Sequence, residues 1–182
     1  MRKIVIAGFL AAALALPAAL VAQGPPGPAK EHEWLQRLTG DWETELEVMT
    51  APGQPPMKVK GTETTRKIGQ LWVLTEAETK PPAMPFARAL AVGYDPAKKK
   101  YVGTWVDSNS TNIGRYEGTV DAAGNTLTLE GEIPHPYDAV KMVKVREVIE
   151  LKSADEKVVT TSLQGDDGNW LTLVTVKAQR KK

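Results

Sequence analysis

Ten short segments in which apolar and polar residues alternate place the strongest constraint on what this chain can fold into. In the first segment Trp42, Thr44, Leu46 and Val48 share one face, and glutamates occupy the other. This pattern is typical of a strand with one buried and one solvated face. The other segments are rich in Val, Thr, Tyr and Trp, as strands are. They span residues 57–68, 71–79, 87–94, 101–107, 113–121, 126–133, 142–151, 157–163 and 170–178.

Turn-forming residues join these segments. Asp95-Pro96 and the runs at 121–125 and 165–169 are rich in Asp, Gly and Asn, which favour hairpin turns. Short turns make consecutive strands antiparallel, and closing such a meander removes its exposed edges. The sequence therefore predicts an all-β fold, an antiparallel up-and-down barrel of about ten strands. A two-sheet sandwich is the alternative.

A short amphipathic segment precedes the first strand. Trp34, Leu35 and Leu38 follow helical spacing within residues 31–38, but a helix of this length is not stable alone. We therefore expect a short N-terminal helix that caps one end of the barrel, with Trp34 in a structural role within the cap.

The N-terminal residues 1–22 have the pattern of a secretory signal peptide. Two basic residues precede an apolar run from Ile4 to Val21, and Ala22 is small enough for a cleavage site. The run also has about the length of a membrane span, so an uncleaved anchor is the alternative. Residues 23–30 form a Pro- and Gly-rich linker, which leaves 31–180 as the barrel domain. The sequence thus predicts an exported protein, periplasmic or extracellular.

The composition excludes several kinds of partner. The chain has no Cys, so it folds without disulfides, and about 160 residues after the signal are enough to stabilise one domain by burial. Lys and Arg number 23 and Asp and Glu number 22. This balance argues against nucleic acid or an anionic membrane as the main partner, and no membrane contact is expected after signal cleavage.

Several motifs give the sequence a resemblance to a known bacterial family. The resemblance spans about residues 33–176 and is to the family called domain of unknown function 1579. The family is grouped with lipocalin-like proteins, so it implies a lipocalin- or calycin-like barrel and no established activity. Because lipocalin-type barrels begin with Gly-x-Trp, it also implies a structural role for Gly40 and Trp42. The motifs are Leu38-x-Gly40-x-Trp42, Phe86, Gly93-Tyr94-Asp95, Tyr101, Trp105-Val106-Asp107-Ser108 and Gly118.

Charged and aromatic residues fall among the positions that alternation assigns to one face of the later strands. Glu147 stands within the apolar stripe of its strand, and a lone buried carboxylate is costly, so it should have a partner or be neutral. Inside a barrel, such groups would orient a small ligand among aromatic walls. The candidate ligand-binding residues are Arg88, Trp105, Asp107, Arg115 and Glu147.

The same residues allow two other interpretations. Pairs of Arg and carboxylate could plug the barrel, or the strands could be inverted so that the charges face water. In lipocalin-like barrels an Arg often packs on the indole of the Gly-x-Trp motif. Arg146 or Arg115 would take this structural role for Trp42 through a cation–π contact.

No recognisable catalytic or metal-binding motif is present in the sequence. The two histidines, His32 and His135, lack the spacing of a zinc site, and there is neither Cys nor a Gly-x-Ser-x-Gly motif. We expect no catalytic residues, no metal and no cofactor.

The function that these patterns favour is binding of a small apolar or amphipathic molecule in the barrel lumen, without catalysis. One alternative is an acid/base enzyme that uses Asp107 and Glu147. The other is a cell-envelope interaction module whose barrel is plugged by its own side chains. The width of the lumen distinguishes a carrier from a plugged barrel, because a carrier needs room for more than a few waters.

Overall fold

A computed structural model describes residues 27–51, 53–81, 85–135 and 138–182, with the backbone alone for 138–140. The predicted signal peptide and the start of the linker lie outside the described residues. One helix and ten strands follow one another along this part of the chain. They are α1 (Lys30–Gln36), β1 (Gly40–Val48), β2 (Met57–Ile68), β3 (Trp72–Thr79), β4 (Ala87–Asp95), β5 (Lys100–Asp107), β6 (Gly114–Val120), β7 (Thr126–His135), β8 (Asp138–Leu151), β9 (Glu156–Gln164) and β10 (Trp170–Arg180).

The ten strands form one closed barrel in which each strand pairs antiparallel with its sequence neighbours and β1 pairs with β10. The predicted up-and-down barrel is confirmed, and the sandwich alternative is wrong. The predicted strand limits agree within a few residues. The largest difference is at β8, which begins at Asp138 rather than at residue 142, because backbone pairing continues beyond the alternating stretch. Within the described ranges, no helix has the length and apolarity needed to cross a membrane.

The barrel closes where the Gly-x-Trp motif of β1 meets the end of β10. Trp42 is the register partner of Arg180, and the Arg180 guanidinium lies 4.1 Å from the centre of the Trp42 ring. Gly40 has a φ of +132°, and a Cβ at this position would overlap the Arg180 guanidinium. Arg180 also donates hydrogen bonds to the carbonyls of Thr39 and Arg37. Glycine is therefore required here both for its backbone conformation and for the close approach of Arg180.

Helix α1 covers the end of the barrel that holds the β2–β3, β4–β5, β6–β7 and β8–β9 turns, here named the capped end. Trp34 Nε1 and Arg37 Nη1 donate to the carbonyl of Gly124 in the β6–β7 turn, at 2.9 Å and 2.6 Å. Gly124 has a φ of +72°, a conformation that favours glycine. Tyr101 on β5 donates its hydroxyl to the carbonyl of Glu31 at 3.1 Å. These bonds attach the helix to two parts of the barrel, the β6–β7 turn and strand β5.

The hydrophobic core lies toward the capped end. Leu35, Leu127 and Leu129 are completely buried there, together with most of Leu90 and Val92. Burial of each such side chain stabilises the fold by about 1.5–3 kcal/mol. The opposite end, which holds the β1–β2, β3–β4, β5–β6, β7–β8 and β9–β10 connections, has no such helix among the described residues and is named the open end.

Candidate ligand-binding site in the barrel lumen

A cavity of about 410 Å³ occupies the lumen beyond this core. Its volume is within the range of about 300–1,000 Å³ that is usual for small-molecule sites. Most of the side chains around it are apolar, and they come from strands on all sides of the barrel because alternate residues of each strand point inward. They include Leu46, Val48, Val59, Phe86, Val145, Leu163, Val174 and Val176.

An ion pair crosses the lumen between β4 and β8. Arg88 Nη2 lies 2.6 Å from Glu147 Oε2, and the two side chains are 19% and 2% exposed. Burial is the largest single influence and lowers the pKa of Arg88, but Glu147, Tyr116 and Glu63 together outweigh burial, so the pKa is raised. Arg88 is therefore a permanent cation in this site, and Glu147 supplies the opposite charge. The pair occupies part of the lumen without filling it.

Two aromatic rings accompany this ion pair. The Arg88 guanidinium lies 5.4 Å from the centre of the Trp105 ring, and Trp105 is stacked on Tyr116 with 6.2 Å between ring centres. Burial, and next the Glu147 charge, raises the pKa of Tyr116, so its hydroxyl stays neutral at physiological pH. The four side chains form one polar cluster on the lumen wall, named the Arg88–Glu147 cluster.

Several polar atoms of the Arg88–Glu147 cluster lack a well-directed hydrogen bond. Trp105 Nε1, Arg88 Nε and Nη2, and Glu147 Oε2 are buried and have no hydrogen-bond partner among the described residues. Trp105 and Glu147 both interact with the Tyr116 hydroxyl, and Nη2 and Oε2 attract each other as charges. None of these contacts satisfies the directionality of the N–H donors, and unsatisfied buried donors are unusual in native proteins.

Asp107 lies at the end of β5, at the open-end side of the cavity. It is the register partner of Arg88, and its Oδ1 accepts the backbone N–H of Asn109 at 2.7 Å. Asp107 therefore caps the start of the β5–β6 connection while it also borders the cavity. Glu147, the other carboxylate of the predicted acid/base pair, is engaged with Arg88 instead.

A second buried ion pair forms the floor of the cavity near Trp42. Lys157 Nζ contacts Glu63 Oε1, and Thr65 donates its hydroxyl to the same oxygen at 3.0 Å. The Lys157 ammonium also lies 4.4 Å from the centre of the Trp42 ring. Sequence reasoning missed this pair. The available signal was a charged residue in the inward row of both β2 and β9, beside Thr65 and Val159.

Two of the predicted arginine roles are wrong. Arg115 is exposed on the outer face of β6, because the inward row of that strand is Gly114 and Tyr116 rather than the row containing Arg115. Arg146 does not contact Trp42; its guanidinium lies 3.8 Å from the Trp170 ring and bonds to Glu130 on the barrel exterior. Among the described residues, the cations that lie on the Trp42 ring are Arg180 and Lys157.

The position of the Trp105 ring depends on the absence of a side chain at Gly114. The two residues are register partners on β5 and β6, and a Cβ at Gly114 would overlap the indole nitrogen and its neighbouring carbons. Gly114→Ala is expected to lower the free energy of unfolding by about 1–3 kcal/mol through overpacking and to change the near-ultraviolet circular dichroism of the indole. Gly27→Ala is the control, since a Cβ there meets nothing within 4 Å. Equal behaviour of both variants would contradict this packing.

The described residues contain no group of three or more His, Asp or Glu side chains arranged to hold a metal ion. His32 is buried and uses its Nδ1 to accept the Ala29 N–H at 2.9 Å. Its ring meets Tyr94 edge-on, with 5.7 Å between centres. His32 thus has a packing role at the start of α1.

Solved structures support the fold. Rv2717c from M. tuberculosis is similar over 86% of this chain and 100% of its own, with a TM-score of 0.60 and 12% identity. An S-type phycobiliprotein lyase, CPES from Guillardia theta, is similar over 82% of this chain and 92% of its own, with a TM-score of 0.56 and 14% identity. At these identities the likeness concerns the fold alone. No curated protein sequence matches the chain.

The sequence comparison agrees with the family resemblance of the motifs. The matching family model spans residues 27–180, which include α1 and all ten strands of the barrel. The chain therefore belongs to the family described as protein of unknown function, DUF1579.

Proposed function

We propose that this protein binds one small apolar or amphipathic molecule in the barrel lumen, and that it does so after export to the periplasm or the cell exterior. The observation that carries the proposal is the 410 Å³ cavity with its mainly apolar walls. Support for export comes from the signal-like residues 1–22. The same cavity counts against the alternative of a barrel filled by its own side chains.

The energetics of such a cavity favour an apolar guest. Transfer of a methylene group from water to an apolar site is worth about 0.8 kcal/mol. A chain of eight to ten such groups would therefore gain roughly 6–8 kcal/mol before the cost of immobilisation is subtracted. This gain is the upper limit of the apolar contribution, and without the immobilisation cost it corresponds to a dissociation constant in the micromolar range.

The open end supplies an apolar entrance to the cavity. Large hydrophobic side chains are exposed where the strands meet this end, and Ile113 is 65% exposed. These side chains are placed to contact an apolar molecule as it enters the barrel. At the capped end, helix α1 blocks entry. The exposed apolar residues near the open end are Met49, Met57, Ile113, Met142 and Leu171.

A cavity-filling substitution tests the proposal. Leu46→Trp adds a bulky ring to the cavity wall, whereas Thr104→Trp adds the same ring to the exposed outer face of β5. We expect wild type and Thr104→Trp to bind the uncharged dye Nile red at one molecule per chain. Leu46→Trp should bind it at least tenfold more weakly, since a filled cavity offers no apolar surface to the dye. Fluorescence titration measures both affinities.

The two tryptophan variants add the same chromophore, so fluorescence background does not distinguish them. Thermal unfolding of each variant verifies that it is folded. Equal loss of binding in both folded variants would place the dye on the exterior and contradict the proposal. So would retention of full affinity by a folded Leu46→Trp.

A further inference from the structure

We propose that the guest of the lumen presents an uncharged oxygen group, a hydroxyl or a carbonyl, to the Arg88–Glu147 cluster, and that carboxylates and amines are disfavoured. This inference rests on the proposed function and specifies the polar end of the molecule that the lumen takes. The missing hydrogen bonds favour an oxygen group over an amine, and the balance of charge around the cavity counts against a carboxylate.

The missing hydrogen bonds call for an acceptor. Trp105 Nε1, despite its contact with the Tyr116 hydroxyl, and Arg88 Nε make no well-directed hydrogen bond to the described residues, and indole and guanidinium N–H groups cannot accept. Both residues border the cavity. Neither nitrogen is accessible from the cavity, so the Trp105 or Arg88 side chain rotates toward the guest, whose oxygen then supplies the acceptor that the protein lacks. An ammonium group is a donor only and cannot do so.

The charges around the cavity disfavour an anion. Arg88 is paired with Glu147, and Lys157 is paired with Glu63, so neither buried cation of the described lumen is available to a second carboxylate. Asp107 adds a further negative charge at the open-end side of the cavity. A carboxylate guest would have to displace Glu147 from Arg88, which would leave a buried carboxylate without its partner at a high free-energy cost.

The Glu147 carboxylate also favours a hydroxyl. Its Oε2 has no directed hydrogen bond from the described residues and can accept an O–H. A hydroxyl group would therefore accept from Trp105 or Arg88 and donate to Glu147 at the same time. A carbonyl would satisfy the donors alone. We therefore expect the cluster to bind a hydroxyl more tightly than a carbonyl group of similar size.

A matched series of amphiphiles tests this ranking. Decanol, decanoate and decylammonium share one alkyl chain and differ in the head group, and isothermal titration calorimetry at neutral pH measures each of them without an optical probe. We expect decanol to bind at least tenfold more tightly than either ion, because one well-made hydrogen bond to a buried partner is worth about this factor. Nile red binding is measured in parallel.

Two variants assign the preference to the Arg88–Glu147 cluster. Trp105→Phe keeps a ring but removes the N–H, and we expect decanol affinity to fall about five- to tenfold. Trp72→Phe is the matched control, because Trp72 is 39% exposed and is not part of the cavity wall. Glu147→Gln leaves Arg88 without a counter-charge, so decanoate should bind at least tenfold more tightly to this variant than to wild type.

The outcomes separate the head-group inference from the proposed function. Binding of decanoate as tightly as decanol would overturn the inference and leave lumen binding intact, and so would binding of Nile red without binding of decanol. Absence of binding for Nile red and all three amphiphiles would overturn the proposed function itself. If Glu147→Gln does not fold, the wild-type series and Trp105→Phe still decide the inference.

Discussion

Replacement of Trp42 by Ala is expected to lower the free energy of unfolding by about 3–5 kcal/mol, the usual cost of deleting a buried Trp side chain. Trp42 is completely buried and donates its indole N–H to the Leu38 carbonyl at 3.2 Å. The charged groups of Arg180 and Lys157 both lie over its ring. The substitution removes apolar burial, a hydrogen bond and two cation–π contacts together. Urea denaturation monitored by far-ultraviolet circular dichroism measures the loss.

Trp72→Ala is the control for this prediction. Trp72 is a large aromatic residue on the barrel exterior, 39% exposed, so its removal should cost about 1 kcal/mol or less. A Trp42→Ala variant as stable as Trp72→Ala would mean that the Gly-x-Trp motif does not anchor the closure of the barrel. Since small domains are stable by only about 5–15 kcal/mol, the expected loss would also be visible as a lower thermal midpoint.

Lys157→Met is expected to destabilise the fold by about 3–5 kcal/mol, because it leaves Glu63 buried without its cation. Lys157 and Glu63 contact each other with side chains only 3% and 8% exposed, and Met keeps the length of the Lys stem while it removes the charge. The ammonium contact with Trp42 is lost as well. Chemical denaturation at neutral pH measures the effect.

The double variant Lys157→Met/Glu63→Met is the informative control. A buried ion pair replaced by apolar residues of similar volume is often neutral or stabilising, so the double variant should be clearly more stable than Lys157→Met alone. The double-mutant cycle then yields a coupling free energy for the pair. Additive effects of the two substitutions would contradict the buried ion pair that forms the floor of the cavity.

The candidate site could be predicted only in part from the sequence. Arg88, Trp105 and Glu147 were identified from alternation, and the structure places all three on the cavity wall. Arg115 was misassigned and Tyr116 was missed for one shared reason. Alternation divides a strand into two faces, but it does not say which face is inside when both carry polar and apolar residues, as in β6.

Contacts between distant strands account for the rest of what was missed. Glu63 and Lys157 are 94 residues apart, and neither lies in a local sequence motif that predicts its contact with the other. The partner of Trp42 was expected at Arg146 or Arg115, but the closing register of β1 on β10 brings Arg180 to it. Such pairings depend on barrel closure, which no local pattern encodes.

The sequence by itself determined the architecture of this protein. A period of two in the side-chain pattern, short turns rich in Gly, Asp and Asn, and the Gly40-x-Trp42 start are local properties, and they are sufficient for ten antiparallel strands in sequential order. Only the tertiary structure decided which charges meet and how much space they leave. Those outcomes depend on the stagger of strands around the closed barrel, which brings Arg88 across the lumen to Glu147 and leaves a cavity lined with apolar residues beside them.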